Sequence, residues 1–402
     1  MNLVFLAHPE FLGLRSQAHF VRMLVTACQD RGHNVQVRQP GGALQHRVRG
    51  TAAAKWAGYA DQYLLFPREL RRLALSDAAD TLYVFCDQAL GPWVPALAHR
   101  PHVVHCHDLL ALRSALGEVA ENPTRATGRL YQRFIRRGFM QARHFICISR
   151  KTQLDLHRLG GAGALTSEVV YNGLNHAYAP MPDARARQLL QEAGVPAPDG
   201  PWLLHVGGGQ WYKNTPGVLA LYGAYARAAL QAPPATVLPL VVVGPDPTPP
   251  LAQAVANLPP GARVLFVGGL QPLALQALYA RAAVLLFPSL AEGFGWPIVE
   301  AMACGCPVIT TAEPPMNEVG GDVALYLPRL RDAQDMPDWS AAGAAVLQGL
   351  LNEDATRRQQ RVTAALDRAA RFSADGAIEA YLRIYERVLQ DERPARRSAA
   401  PT

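Results

Sequence analysis

The sequence lacks the features that mark membrane-spanning, secreted and disordered proteins. No apolar run reaches the roughly 18 residues that a membrane-spanning helix needs, so we expect none. The six cysteines form no C-x-x-C pair, and three of them lie in apolar, strand-like runs, which favours reduced core thiols in a cytosolic protein. Met1–Ala7 is apolar but short and has no basic residue before it, so it predicts a first strand, not a signal peptide. With 50% hydrophobic and 18% charged residues, the chain is too apolar to be disordered.

Signatures of bound metals and of common nucleotide cofactors are also missing. The glycine-rich segment Gly207–Lys213 fits neither the dinucleotide motif G-x-G-x-x-G nor the phosphate-loop motif G-x-x-x-x-G-K-[ST]. No D-x-D occurs anywhere in the chain, and no second cluster with metal-ligand spacing accompanies His107. We therefore expect no metal site and no resident cofactor.

Short β-branched or aromatic runs alternate with segments of helical period, and prolines at 180–201 divide the chain into two similar halves. Strands that alternate with helices build mostly parallel sheets, so the sequence predicts an α/β fold of two Rossmann-like, doubly wound domains that face a cleft. We expect the first domain at residues 1–178, the second at 179–372, a closing helix at 373–391 that packs back toward the first domain, and a disordered tail at 392–402. Such sheets bind ligands beyond the carboxyl ends of their strands, so site residues are expected in the loops that follow strands.

The net charge of +7 is concentrated in the first half of the chain. Lysine and arginine outnumber aspartate and glutamate by nine over residues 1–175 and fall two short of them over residues 176–402. This asymmetry favours an anionic substrate, an anionic membrane surface or nucleic acid as a partner of the first half. A coding background rich in arginine would produce the same numbers, and the sequence alone leaves both explanations open.

One predicted strand–helix loop carries the densest set of glycines and carboxylates. Gly293 and Gly295 allow the backbone to approach a ligand, and Pro297 suits the first position of a helix whose free N–H groups can bind phosphate. Glu292 before the turn and Glu300 in the first turn of that helix can both accept hydrogen bonds from the hydroxyls of a sugar or a ribose. Alternatively, Glu300 only stabilises the helix dipole and Glu292 is a solvated loop acid.

Two further loops carry candidate site residues. Gly207–Pro216 combines three glycines, Lys213 and a helix start with Thr215 as the predicted N-cap, which are the groups that hold a diphosphate. A glycine-rich connector with a solvated lysine explains the same residues. His107 follows the predicted strand Val103–Cys106 and is expected to project into the cleft, and a core or capping histidine is the alternative.

The loop that carries Glu292 and Glu300 resembles a sequence motif of a known family. Glu292-Gly293-Phe294-Gly295-x-Pro-x-x-Glu300-Ala-Met-Ala-Cys-Gly-x-Pro-Val is similar to the E-x7-E signature of retaining GT-B glycosyltransferases of family 4. Other markers of that family follow in the same order through most of the chain. They are Arg31-Gly32-His33, His107-Asp108, Ile146-Cys147-Ile148-Ser149, Tyr171-Asn172-Gly173, His205-Val206-Gly207, Lys213-Asn214 and Glu318-Val319-Gly320-Gly321-Asp322.

The resemblance implies a role for each matching residue. Glu300 would hold the ribose of a nucleotide, and Glu292 with the backbone after it would hold the hydroxyls of the donor sugar. Lys213 would stabilise the diphosphate leaving group, His107 would contact the donor sugar near the reacting centre, and Leu270 would offer backbone groups to the base. The predicted catalytic residues are His107, Lys213 and Glu292, and the predicted donor-binding residues are Arg15, Ser16, Gly207, Gly208, Leu270, Gly293, Phe294, Gly295, Trp296 and Glu300.

The chain departs from the family pattern at two places. Tyr212 stands where the family usually has an arginine before the lysine, and Arg15-Ser16 stands where its N-terminal loop usually has Gly-Gly. One positive charge is therefore missing from the diphosphate site, and another is present on the N-terminal loop. Arg15 either supplies the missing charge when the cleft closes or is an ordinary surface residue.

The sequence thus predicts a retaining glycosyltransferase that moves a sugar from a donor such as a UDP- or GDP-sugar to a glycan or lipid-linked acceptor, in polysaccharide or glycolipid synthesis. No enzymic nucleophile stands beside the motif, so we expect front-face displacement in which the departing diphosphate takes the proton of the acceptor. A non-transferring, epimerase-like enzyme of the same architecture is an alternative. A nucleic-acid-binding protein fits the basic pI of 9.2, but no recognition motif supports it, and we expect no nucleic-acid partner.

Residues 55–72 mix aromatic and basic side chains at helical spacing. Such a mixture suits an interfacial segment on anionic lipid, which would hold a cytoplasmic enzyme at the inner face of the membrane beside a lipid-linked acceptor. The alternative is that the aromatic stripe packs on the first sheet and the arginines form its solvated face. The stripe consists of Trp56, Tyr59, Tyr63 and Phe66, and the basic residues are Arg68, Arg71 and Arg72.

Overall fold

The computed structural model describes residues 1–160, 163–207, 209–231 and 236–392, except for the side chain of Arg15. The chain forms two compact units, the first made of Met1–Tyr171 with the segment that starts at Asp375, and the second of Asn172–Ala374. Each unit contains one parallel sheet of six strands, which confirms the predicted α/β class with two Rossmann-like, doubly wound domains. The predicted domain limits stay predictions, and residues 393–402 of the predicted tail lie outside the described residues.

The first unit alternates parallel strands with helices, and its sheet has the strand order β2-β1-β3-β4-β5-β6. A short π-helical stretch, Asp61–Leu65, joins its second and third helices. The strands are β1 Asn2–Leu6, β2 Asn34–Arg38, β3 Thr81–Phe85, β4 His102–Cys106, β5 His144–Cys147 and β6 Thr166–Val169. The helices are α1 Arg15–Asp30, α2 Ala54–Ala60, α3 Phe66–Ser76, α4 Val94–Leu97, α5 Leu110–Ala115, α6 Ala126–Phe139 and α7 Arg150–Leu159.

The second unit repeats this plan with the strand order β12-β11-β10-β7-β8-β9, again with parallel neighbours. The strands are β7 Trp202–Val206, β8 Leu240–Val243, β9 Val264–Val267, β10 Ala282–Phe287, β11 Val308–Thr311 and β12 Leu325–Leu327. The helices are α8 Asp183–Glu192, α9 Thr215–Gln231, α10 Pro249–Ala256, α11 Pro272–Arg281, α12 Trp296–Ala303, α13 Met316–Gly320, α14 Met336–Leu351 and α15 Ala355–Ala369.

The last helix, α16 Ala374–Asp391, packs against the sheet of the first unit. Its apolar face includes Tyr381 and Tyr385, which are fully buried in the same core as Phe5 of β1. The hydroxyl of Tyr385 lies 2.7 Å from Nε2 of the buried His105, so this core histidine has a polar partner. The helix therefore completes the hydrophobic core of the first unit.

Most residues of the central strands are apolar because helices cover both faces of each sheet. Every residue of β3 and β4 is buried, as is normal for parallel strands inside a doubly wound fold. Polar side chains are therefore concentrated where strands end, in the loops that lead to the next helix. Among the described residues, no helix is both long and apolar enough to cross a lipid bilayer.

Residues 55–72 form helices as predicted, but their aromatic stripe does not form a single exposed face. Phe66 is 2% exposed and its ring lies 4.7 Å from that of Trp93 in the core. Tyr63 is half-buried and its hydroxyl pairs with the hydroxyl of Tyr131 on α6. Packing on the sheet and on α6 therefore takes these two rings, as the alternative of a packed stripe expects, whereas Trp56 stays 71% exposed. Contact of this segment with lipid stays a prediction.

Helix α6 crosses the segment Gln88–Trp93 at a contact that only glycine permits. A Cβ atom at Gly138 would overlap the carbonyl group of Gly91. We predict that Gly138→Ala lowers the free energy of unfolding by about 1–3 kcal/mol, the usual cost of overpacking a core. Urea denaturation measures the change.

Gly349→Ala is the matched control for Gly138→Ala. Gly349 also lies inside a helix, α14, but a Cβ atom there would meet no neighbouring atom within 4 Å. This variant should be neutral or more stable by up to about 1 kcal/mol, because alanine has the higher helix propensity. Equal destabilisation by both substitutions would contradict the contact between α6 and Gly91.

Candidate functional site

In the second unit, the loops after β7 and β10 are joined by direct hydrogen bonds. The backbone N–H of Leu290 donates to the carbonyl oxygen of Tyr212 at 2.7 Å. The side-chain amide of Asn214 donates to the carbonyl oxygen of Pro288 at 3.0 Å. The glycine-rich loop and the loop with the two carboxylates therefore form one continuous surface at the carboxyl ends of two adjacent strands.

The helix after the glycine-rich loop, α9, is capped by Asn214. This residue has a left-handed backbone with φ of 56°, and its Oδ1 accepts a hydrogen bond from the backbone N–H of Gly217 at 3.2 Å. The predicted cap, Thr215, is the first residue of the helix, and its hydroxyl lies 3.1 Å from Nε2 of His205. The prediction was wrong by one residue, because the buried histidine takes the threonine hydroxyl.

Lys213 and Glu292 form an ion pair at the centre of this surface. Lys213 Nζ lies 2.8 Å from Glu292 Oε1, and the two side chains are only 13% and 8% exposed. The ammonium group also lies over the rings of Phe287 and Tyr212, 4.7 and 5.4 Å from their centroids. The structure thus brings together two residues that the sequence assigned to one ligand, and it holds their charges in a poorly solvated place.

The turn before α12 requires glycine. Gly295 has a φ of 102°, a backbone conformation that other residues rarely adopt. Next to it, Phe294 is buried and its ring lies 5.7 Å from that of Phe372. Within the described part of the chain, Ser289 Oγ and Trp296 Nε1 are buried without a hydrogen-bond partner.

Glu300 lies under this loop as the fifth residue of α12, one turn later than predicted. It is 6% exposed, and its Oε2 accepts a hydrogen bond from the hydroxyl of Tyr279 at 2.8 Å. Burial raises the pKa of Glu300 to about 7, against the lowering effects of the Tyr279 hydroxyl and the Lys213 charge. Burial and the neighbouring Glu300 carboxylate hold the pKa of Tyr279 well above its ordinary value.

The remaining predicted residues of the second unit surround this surface or lie in neighbouring loops. Gly207 follows directly after β7, and Gly293 lies between Glu292 and the glycine turn. Leu270 is half-buried in the loop between β9 and α11. Gly208 lies outside the described residues, so its predicted role stays a prediction.

The predicted residues of the first unit lie on two elements. His107 follows β4, where its Nε2 lies 2.8 Å from the carbonyl oxygen of Cys86 and its ring is edge-on to Phe20 at 4.7 Å. Ser16 is the second residue of α1 and is exposed, and the side chain of Arg15 lies outside the described part. In the described residues, no three His, Cys, Asp or Glu side chains lie close enough together to hold a metal ion.

Sequence reasoning missed two residues that shape the site. Tyr279 comes 21 positions before its partner Glu300, inside a helix whose apolar neighbours gave it no functional signal. Asn214 was recognised as a family marker but not as the residue that caps α9 and ties the two loops together. A polar residue directly before a helix and after a glycine-rich loop was the only signal available.

Burial of Glu300 makes stability depend on pH. Between the ordinary glutamate pKa and about 7, the folded chain keeps a proton that the unfolded chain has released, so the free energy of unfolding falls as pH rises. A glutamine at this position would carry no charge and would still accept the Tyr279 hydrogen bond. We predict that Glu300→Gln is more stable than the wild type near pH 8, by up to about 3 kcal/mol, and less so near pH 5.

Urea denaturation at both pH values tests this prediction. Glu192→Gln is the matched control, because Glu192 is an exposed glutamate at the end of α8 in the same unit. The control should show no comparable difference between the two pH values. A stability gain for Glu300→Gln that is the same at both would mean that its charge is not the cause.

Comparisons with known proteins agree with this architecture. The model of Glycosyltransferase Family 4 matches residues 17–178, and the model of Glycosyl transferases group 1 matches residues 200–340. O-antigen chain mannosyltransferase B of Escherichia coli is 35% identical over 112 residues, which is 28% of this chain and 27% of that protein. D-inositol 3-phosphate glycosyltransferase of Xylanimonas cellulosilytica is 32% identical over 263 residues, 62% of this chain and 58% of that enzyme. The chain thus matches between about a quarter and three fifths of the length of these relatives.

Two solved structures share the fold over nearly the whole chain. Sucrose-phosphate synthase from Thermosynechococcus elongatus superimposes with a TM-score of 0.69 at 21% identity, covering 97% of this chain and 100% of that one. The Anabaena protein HepE, solved in complex with UDP and glucose, gives a TM-score of 0.66 at 20% identity, with 96% and 99% coverage. The chain therefore has the GT-B fold of two parallel-sheet units, and residues 17–178 and 200–340 match the models of Glycosyltransferase Family 4 and Glycosyl transferases group 1.

Proposed function

We propose that this chain is a retaining glycosyltransferase that takes a sugar from a UDP- or GDP-sugar and transfers it to a glycan or lipid-linked acceptor. The observation that carries the proposal is the arrangement of Lys213 and Glu292 on two joined loops at the carboxyl ends of β7 and β10, with Glu300 on α12 directly after the second loop. The relatives act as an O-antigen mannosyltransferase and an inositol phosphate glycosyltransferase. They support a role in the synthesis of cell-surface polysaccharide or glycolipid.

Lys213 is the residue that stabilises the leaving group in this proposal. A nucleoside diphosphate gains negative charge as the bond to the sugar breaks, and a fixed ammonium in a poorly solvated place stabilises that charge strongly. In the structure the Lys213 charge is balanced by Glu292 at 2.8 Å. We expect the diphosphate to replace Glu292 as the partner that balances the Lys213 charge. Glu292 then accepts hydrogen bonds from the donor sugar.

Glu300 holds the ribose of the donor. A carboxylate can accept hydrogen bonds from two neighbouring hydroxyls, and the buried position of Glu300 orients it before the donor arrives. Tyr279 fixes one carboxylate oxygen through its hydroxyl, so it is a positioning residue. The N-terminus of α12 adds backbone N–H groups for the phosphates. The chain has no D-x-D motif, so we expect transfer to continue in the presence of EDTA.

We predict that Glu300→Ala weakens the binding of UDP or GDP by about 1.5–3 kcal/mol, the usual value for hydrogen bonds to a charged group. Thermal-shift titration with UDP, GDP and ADP identifies the base, because a bound ligand raises the melting temperature. Calorimetry with the best nucleotide then measures the loss of affinity.

Glu192→Ala, an exposed substitution on α8, is the control and should bind the nucleotide like the wild type. Unchanged nucleotide affinity in Glu300→Ala would refute the ribose role.

In the same preparations, the anomeric configuration of the product tests retention. Epimerised donor that forms without any acceptor would instead support the epimerase-like alternative.

We also propose that the first unit contacts anionic membrane, through a surface that differs from the predicted stripe. The exposed apolar residues there are Trp56, Leu64 and Leu65 on the α2–α3 segment and Leu130 and Phe134 on α6. The rings of Tyr63 and Phe134 lie 5.3 Å apart, which makes these two segments neighbours. Exposed arginines flank the apolar residues on both segments: Arg68, Arg71 and Arg72, and Arg129, Arg133 and Arg137.

The charge of this surface predicts its behaviour with lipid. Each basic residue near an anionic membrane contributes about 1 kcal/mol, so Arg71→Gln/Arg72→Gln should reduce partitioning into phosphatidylserine vesicles about 30-fold. Co-sedimentation with vesicles at low salt measures the partitioning.

The matched control is Arg357→Gln/Arg358→Gln, a pair of adjacent exposed arginines on α15 of the second unit. It removes the same charge and should leave vesicle binding unchanged. If the wild type pellets no better with anionic vesicles than with neutral ones, the membrane proposal fails and a water-soluble acceptor becomes the better hypothesis.

A further inference from the structure

The sheet of the first unit has a topological switch point between β1 and β3. The chain leaves β1 for β2 on one side and then crosses back to place β3 on the other side. Sheets of this kind bind ligands beyond the carboxyl ends of the two strands at the switch point. Leu6 and Phe85, the last residues of these strands, are paired in register. His8 and Asp87 each follow two positions later, so both lie where the fold favours a ligand.

The side chains of His8 and Asp87 lie within ion-pair distance of each other at this switch point, and both are largely buried. Nε2 of His8 lies 3.0 Å from Oδ2 of Asp87, and the side chains are 12% and 9% exposed. The other carboxylate oxygen accepts the backbone N–H of Ala89 at 2.8 Å, which fixes the orientation of the aspartate. Burial alone raises the pKa of Asp87, but the hydrogen bond from His8, the charges of His8 and His107 and the Ala89 amide together hold it below its ordinary value.

An ionised carboxylate determines which nitrogen of the histidine carries a proton. A carboxylate only accepts hydrogen bonds, so Nε2 of His8 must be the donor, and in the neutral ring Nδ1 is then an acceptor. The two neighbouring histidines are held differently. His107 is bound to a backbone carbonyl oxygen, and His105 is bound to Tyr385 inside the core.

His8 borders a cavity of about 620 Å³ that lies within the first unit. Most of its wall is apolar and includes Val21 and Val37, and the polar or charged side chains that border it include Glu10, Gln17, Arg22 and Gln39. Val37 is 44% exposed on the edge strand β2. A cavity with a mainly apolar wall and a few hydrogen-bond donors and acceptors suits a sugar or polyol, whose C–H faces need apolar contact and whose hydroxyls need partners.

We propose that His8, oriented by Asp87, binds a hydroxyl of the acceptor in this cavity and so positions the acceptor for transfer. The inference rests on the proposed glycosyltransferase function and adds the class of the second substrate, a hydroxyl-rich glycan or polyol. In its neutral form, His8 accepts a hydrogen bond from this hydroxyl through Nδ1. Asp87 touches no substrate and acts through His8.

Binding of small polyols to the full chain tests the proposal without knowledge of the natural acceptor. The probes are methyl α-mannopyranoside and myo-inositol, and saturation-transfer NMR measures their affinity. We expect His8→Ala and Asp87→Asn to weaken probe binding about tenfold, the effect of losing one hydrogen bond worth about 1.4 kcal/mol. His8→Gln should restore most of the affinity, because glutamine can donate to Asp87 and still accept from a hydroxyl.

His99→Ala is the control, since His99 is an exposed histidine of the same unit, and it should bind the probes like the wild type. Because Asp87 also caps a helical turn, the pair His8→Ala and His8→Gln keeps the test independent of folding. UDP and GDP are titrated into the same variants and should bind unchanged, because the proposed nucleotide site lies in the second unit.

Each outcome separates the two proposals. Probes that bind the wild type and His8→Ala equally, or that fail to bind the wild type while UDP or GDP binds, would overturn the role of His8 and leave the transferase proposal intact. Probe binding that depends on His8, without binding of either nucleotide, would support a hydroxyl site and overturn the transferase proposal. Loss of probe affinity in His8→Gln as large as in His8→Ala would show that hydrogen bonding is not what His8 contributes.

Discussion

Burial of parallel strands on both faces is the constraint on which the chemistry of this chain depends. A strand such as β3 or β4 satisfies its backbone groups inside the sheet and exposes no residue to water. Charged side chains consequently occur beyond the strand ends, where loops leave the sheet. The Lys213–Glu292 pair in the second unit and the His8–Asp87 pair in the first unit both lie in such loops. One structural rule thus produces a polar site in each of two units that differ in sequence.

The same burial sets the electrostatic character of both sites. A charge that is poorly solvated needs a partner from the protein, and each pair supplies one within 3.0 Å. Among the described residues, the direct partner of Glu300 is the neutral hydroxyl of Tyr279, and burial raises the pKa of Glu300 to about 7. A ligand that brings its own charges or hydroxyls therefore enters a site whose groups are already oriented. The proposed transfer would then need little reorganisation as charge develops on its leaving group.

The sequence predicted features that depend on local order. The strand–loop–helix arrangement around Glu292 and Glu300 follows from apolar runs, glycines and a proline within about fifteen positions, and it was predicted correctly. Features decided by long-range packing were not predictable. The hydroxyl of Thr215 turns to His205 instead of capping α9, and the packing of Phe66 on Trp93 decides between two arrangements that the sequence left open. Tyr279 reaches Glu300 only because α11 and α12 pack side by side, which no spacing in the sequence indicates.

The position of α16 has a consequence for how the chain is made. The core of the first unit includes Tyr381 and Tyr385, which the ribosome adds only after the whole second unit, Asn172–Ala374, has been synthesised. The second unit is one continuous segment of the sequence, so its core can form earlier. The core around Phe5 is complete only when residues more than 370 positions later have been synthesised. Until α16 arrives, one face of the first sheet presents apolar surface to the cellular environment. The unit that begins first is thus the one that finishes last, and it depends longest on protection from aggregation.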